Sequence, residues 1–304
     1  MKIIALFFTV LTGFSVASIS IIVSQVAKDK ISFFQFFAIS NLLASVTAWL
    51  LFPNWALVSD VDWGKVLLIT GSVGIVNTTL QAATVCSLKW GHNGLSVAIR
   101  NTSSMISMLF ALIVLNEKIS IINFCGVILV IISLGVVAFF SRKDSISKDL
   151  KKWIPAVLGS LLLSGAYQIL MTSTVILPDT TLKAGVIIPC LMGASCLCNL
   201  IASQIERKFC HQEQRCFHFE KRVWLLLGFW VGVALLQYFL MVKALTFMKE
   251  AEMASLTWPM LIGLNVTIFS IFCRLKWKEK YPHVTIIGLV GCVLGIIMMI
   301  IGRK

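Results

Sequence analysis

Ten stretches of about 20 apolar residues, parted by short polar breaks, decide most of what this chain can become. They lie near 3–25, 31–52, 66–88, 93–115, 119–140, 153–176, 181–203, 223–246, 251–273 and 283–302. At 1.5 Å of rise per residue, each is long enough to cross a hydrocarbon core of about 30 Å. Lipid offers no hydrogen bonds to an open backbone, and these runs are too long for barrel strands, so each span must be a helix. The expected fold class is an all-α membrane protein with ten transmembrane helices.

Composition agrees. Only 13% of the residues are charged and 58% are hydrophobic, against about 25% charged in a water-soluble domain. The mean hydropathy is +0.93. The formal charge of +13 comes from short basic clusters between the apolar runs. That pattern suits loops resting on anionic headgroups, so membrane lipid is an expected partner and nucleic acid is not. Trp49, Trp55, Trp63, Trp90, Trp153, Trp224 and Trp277 fall near expected span ends, where indole rings prefer the headgroup layer. The N-terminal run of about 23 residues exceeds a signal-peptide core and lacks a clear small-residue cleavage site, so it reads as the first span.

The nine cysteines do not form a disulfide framework. Seven (Cys86, Cys125, Cys190, Cys196, Cys198, Cys273 and Cys292) lie in or beside apolar runs, where they act as small hydrophobes. Cys210, His211, Cys216 and His218 share a basic loop, but their spacing matches no standard zinc pattern. No metal and no cofactor is expected.

The segment 141–152 (SRKDSISKDLKK) divides the spans into five and five. The halves echo each other. Leu80-Gln81 in the third span recurs as Leu236-Gln237 in the eighth. Charged turns, Asn116-Glu117-Lys118 and the run 274–280, close the fourth and ninth, and Gly126 and Gly288 sit in the spans that follow. An odd number of spans per copy turns the second copy upside down. The expected organisation is therefore two inverted five-helix repeats, 1–140 and 153–304, joined by a basic loop at 141–152. Inverted repeats are a common transporter plan, with the substrate held between them near the midplane.

The segment Val97 through Ser104, the turn Leu115-Asn116-Glu117-Lys118-Ile119-Ser120, and the following Gly126 resemble the drug/metabolite transporter superfamily. The specific likeness is to its ten-helix EamA-type branch, and the five-plus-five layout extends it over the whole chain. The resemblance implies that spans 1–4 and 6–9 surround a central cavity, with spans 5 and 10 to the side. It does not choose among amino acids, nucleotide sugars, sugar phosphates and drugs. The fourth span lacks the proline many members carry, the ninth keeps Trp258-Pro259, and the second-half turn has extra basic residues.

Arg100 is the sharpest candidate. It lies about seven residues inside the fourth span, roughly 10 Å along the helix. A charge at the bilayer centre costs about 2.5–3.5 kcal/mol on insertion scales, so it should face protein or water. Asn93, Ser96, Arg100, Ser103, Ser104 and Ser107 form one polar stripe at three- and four-residue spacing, and Thr70, Gly74, Asn77, Gln81 and Thr84 form another in the third span. Small polar residues also serve helix packing, and arginine can reach along its helix to the interface. A guanidinium matches carboxylate or phosphate, so the expected partner is a small-molecule substrate with an anionic group. Tyr167, Gln168, Gln237, Tyr238 and Trp258 are candidates for the opposite wall. Lys243 and Glu252, with Glu250 nearby, are candidates for a gate or coupling site, though Lys243 also suits snorkelling. Pro259 is a candidate hinge. The GxxxG pairs Gly228/Gly232 and Gly291/Gly295 allow close helix contact within the chain or in a homodimer.

No HExxH motif and no paired aspartates lie in the spans, so an enzyme is not expected. The loops are too short for a typical receptor or scaffold. Apart from Glu250 and Glu252, span interiors lack carboxylates, which favours a facilitator or exchanger over a proton antiporter. The competing expectation is an exporter of cationic or amphipathic drugs. The N-terminal side of the spans carries seven Lys and Arg and the other side seventeen. In a bacterial-type inner membrane the positive-inside rule then places both termini outside the cytoplasm, whereas many relatives have them inside.

Overall fold

The computed structural model describes residues 2–28, 32–51, 62–90, 93–117, 119–140, 150–176, 184–210, 221–276, 278 and 282–302. The regular elements among the described residues are helices: α1 (Lys2–Lys28), α2 (Phe33–Leu51), α3 (Trp63–Trp90), α4 (Asn93–Asn101), α5 (Ser103–Leu115), α6 (Ile121–Phe140), α7 (Leu150–Ile176), α8 (Ala184–Cys210), α9 (Lys221–Glu250), α10 (Ala254–Lys276) and α11 (His283–Ile301). Eight are long and apolar enough to cross a membrane. Two shorter apolar helical stretches, Ile99–Leu115 and Ile121–Val137, bring the total to ten. The chain is an all-α multi-pass membrane protein of about ten helices. The loop with His211, Cys216 and His218, most of the 141–152 connection, and Trp55 and Trp277 lie outside the described residues.

Burial is arranged for lipid rather than water. Leu50, Ile113 and Ile121 are each 79% exposed, an arrangement that only a hydrocarbon surround makes favourable. The inside collects the polar groups: Thr9, Thr12, Asn41, Ser103, Ser107, Ser160, Gln168, Thr172 and Asn199 are all buried. With no hydrophobic drive between helices in lipid, packing and hydrogen bonds must hold them together. Many buried hydroxyls bond carbonyls one turn back, as Thr9 does to Ala5 (2.8 Å) and Thr172 to Gln168 (2.7 Å).

Packing follows a simple exchange. α1 packs on α9 as α7 packs on α3; α1 meets α10 as α7 meets α4 and α5. α2 packs on α8, α6 on α11, and α5 on α10. Adding or subtracting five from the span number turns each pair into another pair of the set or into itself. The α6–α11 crossing is set by glycine. A Cβ on Gly126 would lie 2.7 Å from the Gly295 carbonyl, one on Gly295 2.7 Å from the Gly126 carbonyl, and one on Gly291 would strike Ser133. The Gly291/Gly295 pair is therefore a contact within the chain. Gly228 and Gly232 on α9 face open space.

The fourth span is the exception to continuity. Residues 93–115 are expected to form one helix; the regular ladder is interrupted at the single residue Thr102, between α4 and α5, where the backbone stays in the helical region (φ −66°, ψ −11°). The cause is local. Thr102 bonds the Ile99 carbonyl with both its N–H (3.2 Å) and its hydroxyl (2.7 Å). Ser104 takes the Asn101 carbonyl (3.1 Å) and Ser107 the Ser104 carbonyl (3.0 Å). Side chains that bind carbonyls three residues back compete with the regular helical ladder. Pro259, by contrast, sits inside α10, which runs unbroken from Ala254 to Lys276.

Candidate functional site

α7 is the helix on which the candidate residues gather, because α3, α4, α5 and α9 all pack against it. Its partners are spaced along its length. Near its start, the Trp153 indole N–H donates to the Ser96 hydroxyl on α4 (2.8 Å), and that hydroxyl donates to the Ser87 carbonyl at the end of α3 (3.3 Å). The indole thus ties α4 and the end of α3 to α7.

Roughly three to four turns further, serines converge on Gln168. The Ser107 hydroxyl, whose one proton lies between the Ser104 carbonyl and this amide, donates to the Gln168 Oε1 (2.7 Å); the Gln168 Nε2 donates to Ser103 (2.9 Å) and Ser164 (3.3 Å), and Ser103 donates to Ser164 (2.8 Å). All four residues are buried. Ser103 pairs with Ser164 and Ser107 with Gln168 at one constant offset, so α5 and α7 run side by side in the same direction. A buried polar group left unpaired costs about 1–3 kcal/mol, so this network fixes the α5–α7 register.

Beyond it lies an aromatic cluster. The Tyr167 and Tyr238 hydroxyls share a 3.2 Å hydrogen bond between α7 and α9. The Trp258 indole N–H donates to Thr172 (2.7 Å), and its ring stands edge-on to Tyr167 at 6.4 Å. Three of the expected wall residues, from three different helices, therefore meet. Gln237 is half-buried on α9 and takes no part in these bonds.

Arg100 occupies the last turn of α4, directly before the break. It is half-buried, and among the described residues no acceptor bonds its guanidinium and no carboxylate pairs with it. The Ser96–Ser87 contact ties α4 to the end of α3, the helix that carries Gln81 and Thr84. Thr84 Oγ1 and Gln81 Oε1 are buried without a hydrogen-bond partner. Asn77, one turn deeper on α3, is half-buried. Gly74 instead faces α8, where a Cβ would lie 2.9 Å from the Ala194 backbone. The α3 stripe thus divides into a packing end and a polar end. Ser104 is buried and bound within its own helix.

Lys243 stands exposed on α9 with its ammonium 5.9 Å from the Phe239 ring centroid. Glu252 is exposed in the α9–α10 turn, in a left-handed conformation with φ 53°. Neither belongs to the buried network. The carboxylate that does organise this region is Glu117. It accepts from the Ala254 N–H (2.9 Å), the Ser255 N–H (3.1 Å) and the Ser255 hydroxyl (2.6 Å), capping the start of α10. Sequence spacing marked Glu117 only as part of a turn; its partner lies 137 residues away. Thr172, Ser164 and Trp153 carried no earlier signal either, since hydroxyls and end-of-span tryptophans are common in such chains.

Residues 3–139 match the EamA-like transporter family. A solved structure, described as the crystal structure of a protein, is similar to this chain with TM-score 0.68 and 10% identity over 95% of each. At that identity the likeness is one of fold. No match is found among curated proteins.

Proposed function

We propose, from the match of residues 3–139 to the EamA-like transporter family, that this chain is a transporter that moves a small polar metabolite with an anionic group by alternating access. The substrate class is an amino acid, an organic acid or a phosphorylated metabolite. The protein lies in the inner membrane, acts without enzymatic chemistry, and rocks two inverted five-helix halves, 1–140 and 153–304, about a site between them.

One observation carries the reading. Arg100 ends α4 inside a membrane-embedded span with no acceptor among the described residues, and the preceding span carries two buried, unpartnered oxygens, Gln81 Oε1 and Thr84 Oγ1. A guanidinium at that depth is costly, and a carboxylate or phosphate satisfies it bidentately. Gln81 and Thr84 then receive the donors of the same molecule. Ser96, Ser103 and Gln168 position the surrounding helices, and Tyr167, Tyr238 and Trp258 form the apolar wall. The exchange-symmetric helix packing supports the two-half mechanism.

The aromatic cluster supports a second reading, export of cationic or amphipathic compounds, because ring faces attract cations. Uptake of labelled anionic, zwitterionic and cationic compounds into proteoliposomes separates the two. Accumulation of an anionic or zwitterionic class alone is expected; accumulation of cations alone would replace the first reading with the second.

A further inference from the structure

Between α10 and α11, on the outer surface of the bundle, runs a groove of about 330 Å³. It is distinct from the α7 site. Its walls are apolar: Ile271 on α10 and Leu289, Val290, Val293 and Leu294 on α11. Ile271, Val290, Val293 and Leu294 are also exposed, so the protein does not cover the groove itself. From Arg274 at one end to Thr267 at the other, it extends seven residues of α10, roughly 10 Å along the helix axis.

The two ends differ in chemistry. Arg274, in the last turn of α10, stands exposed at the membrane-edge end, followed by exposed Lys276. Among the described residues no carboxylate pairs with Arg274. The other end reaches toward the middle of the span and is floored by Thr267 and the upper part of α11. A cation at the headgroup level above an apolar slot that points into the hydrocarbon has the polarity of one phospholipid: phosphate outside, chain inside. It lies on the side of the spans that carries seventeen of the Lys and Arg residues, the leaflet where basic pockets between helices gather anionic headgroups.

We propose that the α10–α11 groove is a specific site for an anionic phospholipid, with Arg274 binding the phosphate and one acyl chain lying along Val290 and Leu294. The occupant bridges α10, which carries Trp258 and Pro259, to α11, so it braces a helix of the transport site from outside. The proposal does not depend on what the protein transports.

The test uses the full chain purified in detergent and stripped of lipid. Melting temperature and native mass are measured with dioleoyl phosphatidylglycerol, with dioleoyl phosphatidylcholine, and with inorganic phosphate. Phosphatidylglycerol should raise the melting temperature several degrees more than phosphatidylcholine and leave one retained lipid per chain, while phosphate alone should do nothing. Arg274→Gln, a change at an exposed position, should bring the two lipids level. Val290→Trp, which fills the slot, should remove the retained lipid. Equal stabilisation by both lipids in the unaltered protein, a phosphatidylglycerol preference that survives Arg274→Gln, a shift by phosphate alone, or a dimer that leaves no lipid bound would each overturn the assignment.

Discussion

The fourth and ninth spans stand five apart in span order and pack against each other, yet they are built differently. The ninth carries a proline inside its helix and still runs unbroken from Ala254 to Lys276. The fourth carries none and divides at Thr102. Pro259 removes one helical hydrogen bond, and a tightly packed surround absorbs that: Ala254 through Leu261 are all buried. In the run Asn101-Thr102-Ser103-Ser104 two hydroxyls, of Thr102 and Ser104, bond carbonyls three residues back and compete with the ladder. The two spans are also joined at their ends, where Glu117 after the fourth caps the first turn of the ninth. The interrupted span carries Arg100; the continuous one carries Trp258, whose indole bonds Thr172.

The largest effect should come from the broken span. Arg100→Ala should lower transport at least ~10-fold, the scale of one lost charge-assisted bond, while size-exclusion behaviour stays unchanged. Transport at the original rate would make Arg100 a structural residue and leave the break without a ligand. Next in size is the joint between the two spans. Glu117→Ala strips the cap from α10 and should destabilise the protein by about 1–2 kcal/mol in a detergent unfolding titration, with Glu117→Gln losing less. No change in stability would mean that the two spans are not coupled through this carboxylate.

A smaller change is expected at the break itself. Thr102→Ala combined with Ser104→Ala returns the Ile99 and Asn101 carbonyls to the helix. Hydrogen-exchange protection over 99–104 should rise, and transport should fall by roughly 3- to 10-fold as the span loses its interruption. Unaltered protection would show that the hydroxyls do not cause the break. The smallest effect belongs to the ninth span: Pro259→Ala should alter transport by less than about twofold, since the helix is already continuous. A larger loss would move the hinge from Thr102 to Pro259.

Much of the fold was legible because a span is a statement about length. Twenty apolar residues must cross the bilayer as a helix, and the ten expected segments agree with the helices to within a few residues at most of their ends. The interruption at Thr102 was hidden because hydropathy sums over a window, while the break depends on which carbonyl each hydroxyl takes. The candidate residues were legible where cost betrays them. Arg100 stood out because charge inside lipid is expensive, and Tyr167, Tyr238 and Trp258 stood out as polar-tipped rings within spans. The partners that organise them were not legible. Ser103–Ser164, Trp153–Ser96 and Glu117–Ser255 join residues 57 to 138 positions apart, and no local pattern records such pairs. The same holds for the glycines: Gly228/Gly232 and Gly291/Gly295 read alike, but one pair faces open space and the other packs on α6.

The central claim, that Arg100 at the break binds an anionic group, is tested most directly by thermal shift of the purified protein beside Arg100→Ala. The panel holds amino acids, organic acids, sugar phosphates, nucleotides and organic cations. A ligand of the folded state alone adds RT ln(1 + [L]/Kd) of stability. The account predicts that an anionic or zwitterionic class raises the melting temperature of the unaltered protein and leaves the variant where it was. Stabilisation of both proteins to the same extent, by cations alone, would contradict it.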